Sequence, residues 1–167
     1  MYADGSDGVV FTTLHGIDTI QAYTPDGRLL GAGHVGLHGY RPVLDLRRLL
    51  RENRGKLHRP DSTWAQDGHY AALKLVALGG GLVAVQFGKL ELTHGTDLLS
   101  TGGPVVVLRL EPDGVLRPVG QVEAPGALLG RSGPREAMVL RWSGDELNRL
   151  ELLRLAVSPQ GAVAHAR

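Results

Sequence analysis

Two short segments carry a histidine followed three residues later by an aspartate. They are His15-Gly-Ile-Asp18 and His94-Gly-Thr-Asp97. Imidazole nitrogens and carboxylate oxygens are ligands for zinc and manganese, so two such segments brought together would supply four ligands. This pattern suggests a metal-dependent, hydrolase-like enzyme. Glycine and aspartate also favour turns, and we favour this simpler interpretation, in which the two segments are loops at equivalent places in two repeats.

Other catalytic signatures are missing from the chain. It has no cysteine, which excludes disulfides and thiolate metal sites. No serine lies in the Gly-x-Ser-x-Gly pattern of a nucleophile elbow. The three glycines at 79–81 are not followed by the Lys-Ser/Thr pair of a phosphate-binding loop. The sequence therefore predicts no catalytic residue and no cofactor.

The segment from Val43 to about Arg54 is predicted to be the one helix of the chain. Pro42 suits its first turn, and Gly55 follows as a stop signal. Five apolar residues recur at helical spacing and form one broad face: Val43, Leu44, Leu46, Leu49 and Leu50. This pattern indicates an amphipathic helix within an insertion at 42–66.

The polar side of this helix is strongly basic. Seven basic and two acidic residues between Arg41 and Arg59 give a local charge of +5, in a chain whose net charge is +1. The residues predicted to bind a partner are Arg47, Arg48, Arg51, Arg54, Lys56 and Arg59. Guanidinium groups bind carboxylates and phosphates through paired hydrogen bonds. A merely solvated helix face is the simplest interpretation of the stripe, and its functional interpretation predicts an acidic protein partner, with nucleic acid as the alternative.

Four turn signals recur along the chain. Asp26-Gly27, Asp67-Gly68, Asp113-Gly114 and Gln160-Gly161 are separated by 41, 46 and 47 residues. Pro precedes the first, third and fourth signals, and Asp-Gly pairs tolerate the positive φ angles of tight turns. Around three of the four, the pattern is strand, polar glycine loop, strand, turn, strand.

Short alternating or β-branched runs predict the strands themselves. These runs lie at 9–14, 19–24, 28–35, 89–93, 105–111, 115–122, 137–142, 150–158 and 162–166, and a glycine-linked hairpin is predicted over 69–88. The stretch 144–157 also fits a helix, because Ser143 and Glu146 can form a capping box. We favour the strand interpretation, because its end parallels the strand before Asp113.

A period of 40 to 47 residues with three or four strands per unit is typical of the blades of a β-propeller. The segment 137–155 resembles the outer strands of a blade in integrin-type or quinoprotein-type propellers. We therefore predict a mainly β fold of antiparallel meanders, propeller-like, with about four blade-like units and one helical insertion. A β-sandwich or barrel with one helix is the alternative.

These observations predict one β-rich domain over 1–167, or part of a larger repeat domain. The predicted function is a non-enzymatic interaction module that docks a protein partner through the basic insertion, and self-association is also expected. The first residues lack the basic and apolar regions of a signal peptide, which predicts a cytoplasmic protein. No apolar stretch approaches the ~20 residues that span a bilayer.

Overall fold

Three four-stranded antiparallel sheets follow one another along the chain. The structure is a computed structural model, which describes residues 2–13, 19–37, 65–91, 103–143, 149–158 and 162–166. The first sheet contains β1 (Tyr2–Ser6), β2 (Val9–Thr13), β3 (Thr19–Tyr23) and β4 (Leu29–His34). The second contains β5 (Ala65–Gly79), β6 (Leu82–Glu91), β7 (Gly103–Leu110) and β8 (Leu116–Ala124). The third contains β9 (Ala127–Gly133), β10 (Glu136–Ser143), β11 (Arg149–Val157) and β12 (Val163–Ala166).

Each sheet is a simple meander, in which consecutive strands are neighbours. The prediction of a mainly β, antiparallel fold is therefore confirmed, and the described residues contain no helix. The predicted helix at 43–54 lies outside the described residues, and the insertion assigned to 42–66 overlaps them only at its end, where β5 begins.

Two of the four predicted turns, at Asp26-Gly27 and Asp113-Gly114, join the third and fourth strands of their sheets, and the last, Gln160-Gly161, lies outside the described residues between β11 and β12. Gly27 and Gly114 adopt positive φ angles of 89° and 79°, which glycine tolerates without steric cost. The amide of Gly27 donates to the Thr24 carbonyl at 2.9 Å, and the amide of Ser158 donates to the Ala162 carbonyl at 2.8 Å. The connection between the third and fourth strands therefore carries one of the predicted turn signals in each of the three sheets.

Asp113 organises the turn between β7 and β8. Its carboxylate accepts hydrogen bonds from the Val115 amide at 3.0 Å and from the Arg117 guanidinium at 2.7 Å. The hydrogen bond from the Val115 amide, followed by that from Arg117, lowers the pKa of the Asp113 carboxyl below its usual value. Because both side chains are exposed, we assign this pair a local role in the turn.

Two details of the strand prediction are wrong. Asp67 and Gly68 lie within β5 and form no turn between strands. The pairing register between β5 and β6 shifts there. Ala65 pairs with Glu91 and Tyr70 pairs with Lys89, so six residues of β5 lie opposite three residues of β6. A separate strand was also predicted at 89–93. This prediction is wrong for the described residues 89–91, because they form the end of β6, which runs without a break from Leu82 to Glu91.

The strand interpretation near the end of the chain is confirmed for its described part. β11 pairs with β10 from Arg149 to Ala156, and Leu153 and Leu155 point toward the second sheet with alternate residues on the other side. Residues 144–148 lie outside the described part. A helix over 149–157 is thereby excluded, because those residues make a regular antiparallel ladder.

The second sheet is buried on both faces. Consecutive residues of β5 enter different cores, with Leu75 and Ala77 facing the first sheet and Val76 and Leu78 facing the third. The first core includes Phe11, Ile20, Val83, Val85, Phe87 and Leu108, and the second includes Leu82, Ala84, Val105, Val107, Val139 and Leu155. Burial of each such side chain contributes about 1.5–3 kcal/mol. This explains why β5 to β7 are almost continuously apolar.

The first and second sheets also touch through backbone at β4 and β8. The Ala32 amide donates to the Gly114 carbonyl at 3.2 Å, and Ala32 forms an isolated parallel bridge with Val115. Gly31 and Gly33 flank this contact and face the carbonyls of Gly114 and Leu116. Glycine is required here because a side chain has no room between the two backbones.

Gln86 connects the second sheet to the start of the third. It lies in β6 and is 2% exposed. Its side-chain amide donates to the Gly126 carbonyl at 2.7 Å and accepts from the Leu128 amide at 2.7 Å. A buried glutamine thus satisfies two backbone groups of the short link between β8 and β9.

Candidate functional site

The first hairpin turns of the three sheets meet at one end of the molecule. They are Asp7-Gly8 between β1 and β2, Gly80-Gly81 between β5 and β6, and Pro134-Arg135 between β9 and β10. Gly79, Gly80 and Gly81 all have positive φ angles, between 59° and 90°. The three glycines therefore allow the chain to reverse tightly from β5 into β6, beside the corresponding turns of the first and third sheets.

The edge of β5 bonds to both neighbouring sheets at this end. On one side, the Ala77 amide donates to Asp4 Oδ2 and the Gly80 amide donates to Asp7 Oδ2, each at 2.9 Å. On the other side, the Leu78 carbonyl accepts from the Arg135 amide at 2.9 Å. An edge strand whose polar groups are bonded in this way presents less free edge for pairing with other chains.

Arg131 joins the third sheet directly to the first. Its guanidinium donates to Ser6 Oγ and, through Nε, to the Gly133 carbonyl at 3.2 Å. It passes Gly79, where a Cβ would lie 3.2 Å from Arg131 Nη2 and 2.8 Å from Asp7 Oδ2. In a flat stack, the outer two of three sheets lie about 20 Å apart, too far for one side chain to span. The first strands β1, β5 and β9 therefore converge.

We refer to Asp4, Ser6, Asp7, Gly79 and Arg131 as the convergence cluster. The carboxylates of Asp4 and Asp7 accept hydrogen bonds from backbone amides of the second sheet, and the Arg131 guanidinium donates to the Ser6 hydroxyl and the Gly133 carbonyl. The cluster therefore connects the first sheet to both other sheets. Among the residues that the structure describes, no group of three histidine, cysteine or acidic side chains could hold a metal ion. Sequence reasoning missed this cluster, although the aspartates of residues 4–8 and the glycines at 79–81 are visible signals.

Removal of the Asp4 carboxylate should weaken the contact between β1 and β5. The Asp4→Ala substitution leaves the Ala77 amide without its partner, and we expect a loss of about 1–2 kcal/mol in the free energy of unfolding. Urea titration measures the change. Asp26→Ala, at an exposed turn position, is the matched control, and an equal effect of both substitutions would contradict the assigned role.

The predicted site residues belong to three connections of the chain, of which the structure describes only the flanking strand ends. Because Asp4 bonds Ala77 and Asp7 bonds Gly80, β1 and β5 run in the same direction. The strands that flank these connections therefore end away from the convergence cluster. The connections are 14–18 after β2, 38–64 before β5 and 92–102 after β6.

The predicted residues themselves lie outside the described part of the chain. They are the metal candidates His15, Asp18, His94 and Asp97 and the basic residues Arg47, Arg48, Arg51, Arg54, Lys56 and Arg59. The metal site and the basic helix remain predictions. The two His/Asp segments do join the second to the third strand in one sheet and in the next, which is the equivalence that the turn interpretation predicts.

Comparison of the chain with protein-family models, with curated proteins and with solved structures found no match. Within the described ranges, no helix has the length and hydropathy needed to cross a membrane.

Proposed function

We propose that the chain is a non-enzymatic protein-interaction module with a propeller-like arrangement of its sheets. The observation that carries the proposal is the bond from Arg131 to Ser6, which brings the first strands of the first and third sheets together across the second. Four-stranded meanders that pack face to face and converge on their first strands have the arrangement of neighbouring propeller blades. The described chain supplies three such sheets, whereas the sequence predicted about four units.

Such a scaffold presents its connections at the ends of rigid strands, where binding residues commonly lie. One connection is far longer than the others: 27 residues, 38–64, separate Leu37 from Ala65. Long connections on a rigid scaffold commonly carry binding residues. This connection contains the whole basic stripe.

The charge distribution favours an acidic protein surface as the partner. The segment from Arg41 to Arg59 carries +5, and since the chain carries +1, the remaining residues sum to −4. A basic segment on an otherwise acidic scaffold attracts an acidic partner to one place and disfavours its contact elsewhere. Only Tyr40 and Trp64 supply aromatic rings next to the segment, fewer than base-stacking surfaces normally use.

Charge reversal tests the docking segment. We expect the triple substitution Arg47→Glu, Arg48→Glu and Arg51→Glu to weaken binding of a labelled Glu/Asp-rich peptide about tenfold or more, because three charge contacts are lost. Fluorescence anisotropy at low and high salt measures the affinity. The matched control reverses three exposed cations elsewhere: Arg28, Lys74 and Arg117.

The control triple variant should bind the peptide as the unaltered chain does. Equal affinities of all three proteins, or equal losses in both triple variants, would overturn the docking proposal. A labelled DNA duplex is tested in parallel. Stronger, segment-dependent retention of the duplex than of the peptide would replace the acidic protein partner by nucleic acid.

A further inference from the structure

The outward face of the third sheet is mostly apolar. Val139 and Leu155 point into the core with the second sheet, so strand alternation places their neighbours on the other face. Leu140 and Leu152 are paired in register on that face, and Leu152 is 61% exposed. Met138 and Ala156 continue the same face, and its charged residues on the described positions of β10 and β11 are Glu136 and Arg154. Leu152 is exposed and Met138, Leu140 and Ala156 are half-buried, so the centre of this face presents apolar surface to solvent, and such patches are common sites of protein contact.

The outward face of the first sheet has no acidic or basic residue on β2 and β3, and His34 lies on the same face in β4. Phe11 and Ala22 face the core, so Val10, Thr12 and Gln21 share the opposite side of β2 and β3. Thr12 pairs with Gln21 in register, and Gln21 accepts a hydrogen bond from the Tyr23 hydroxyl at 3.0 Å. Burial of the face of β2 and β3 would remove no acidic or basic side chain from water, so its desolvation costs less free energy than that of a charged surface.

We infer that two copies of the chain associate into a closed ring of six sheets. The outward face of the third sheet of one copy packs on the outward face of the first sheet of its partner, and the same contact forms a second time across the two-fold axis. This inference rests on the propeller-like arrangement proposed above. It extends to the outward faces of the first and third sheets the face-to-face packing that joins the first sheet to the second and the second to the third.

The area of the faces favours a second copy that covers both of them. With strands about 4.8 Å apart and about 3.3 Å per residue, the faces of the first and third sheets have flat areas of about 300 and 400 Å². A stable interface buries about 800 Å² on each partner. Either face alone falls well short of that area, whereas both together approach it. A ring closed by two junctions is therefore favoured over pairing through one face.

The oligomeric mass of the full chain and of two single variants tests the ring. Leu152→Glu places a charge on the third sheet, and Thr12→Lys places one on the first. Gln121→Glu, at an exposed position of β8 in the second sheet, is the matched control. We expect the unaltered chain and the control to sediment as dimers, and each face variant to sediment as a monomer with half that mass. Circular dichroism establishes that the variants remain folded.

Mixing the two face variants provides the sharpest result. In a mixed ring, one junction brings the introduced carboxylate at position 152 of one copy against the introduced ammonium at position 12 of the other. The second junction is unaltered, so dimers should return. A monomeric unaltered chain, an open filament, or a dimer that survives Thr12→Lys would each overturn the inference. A monomer that still binds the acidic peptide through the basic segment would overturn the ring alone and leave the proposed function standing.

Discussion

Gly33→Ala is expected to lower the free energy of unfolding by about 3 kcal/mol or more. An added Cβ at Gly33 would lie 2.0 Å from the Leu116 carbonyl oxygen and 2.7 Å from Leu116 Cβ. Neither of these atoms belongs to the flexible end of a side chain, so the added methyl group fits only if β4 and β8 move apart. That movement would disturb the hydrogen bond from Ala32 to Gly114 and the core beneath it.

Urea unfolding followed by circular dichroism measures this loss. The control is Gly130→Ala in β9, because an added Cβ there meets nothing within 4 Å. The control should change stability by no more than about 0.5 kcal/mol. Similar stabilities for the two variants would show that the first and second sheets are not in backbone contact at β4 and β8.

Gln86→Leu is expected to cost about 3 kcal/mol, since leucine has a similar size but leaves the Gly126 carbonyl and the Leu128 amide without their partner. Each buried unpaired group costs about 1–3 kcal/mol. Both hydrogen bonds join the second sheet to the link before the third. The loss should therefore appear as weakened attachment of the third sheet.

Hydrogen exchange of the β9 amides reports that attachment, and urea titration gives the total loss. Gln121→Leu, at an exposed position of β8, is the matched control and should leave both measurements nearly unchanged. If Gln86→Leu unfolds at the same urea concentration as the control, Gln86 does not link the two sheets.

Short apolar or β-branched runs were sufficient to predict the strands that line the cores. The glycine-linked hairpin of β5 and β6 and the run before Asp113 are nearly continuous apolar runs, because consecutive side chains enter the two cores on opposite faces of the sheet. β1 and β9 were not predicted. The sequences of these strands, YADGS and ALLGRSG, are poor in alternating apolar residues, because both strands lie at the edge where the sheets converge and bond through polar groups.

The prediction of a turn at Asp67-Gly68 was wrong because it rested on local residue types alone. Local turn chemistry is necessary for a reversal, but pairing with β6 decides whether the chain reverses, and here the irregularity is absorbed within the strand. The convergence cluster was also beyond local reasoning. Ser6 and Arg131 are 125 residues apart, and no spacing rule pairs side chains at that distance. Charge and spacing did single out the basic stripe and the His/Asp segments, whose roles stay predictions.

Convergence of the first strands is the claim on which the interaction module and the ring both depend. Because the chain contains no cysteine, the pair Ser6→Cys and Ser132→Cys can be cross-linked selectively with a short bismaleimide, and the pair Ser6→Cys and Ala164→Cys serves as control. Position 132 lies in β9 beside Arg131, whereas position 164 lies in β12 at the far edge of the same sheet. Mass spectrometry of the monomer-mass product should show efficient cross-linking of 6 with 132 and little of 6 with 164. Absence of the cross-link between 6 and 132, or equal yields from both pairs, would contradict convergence of the three sheets.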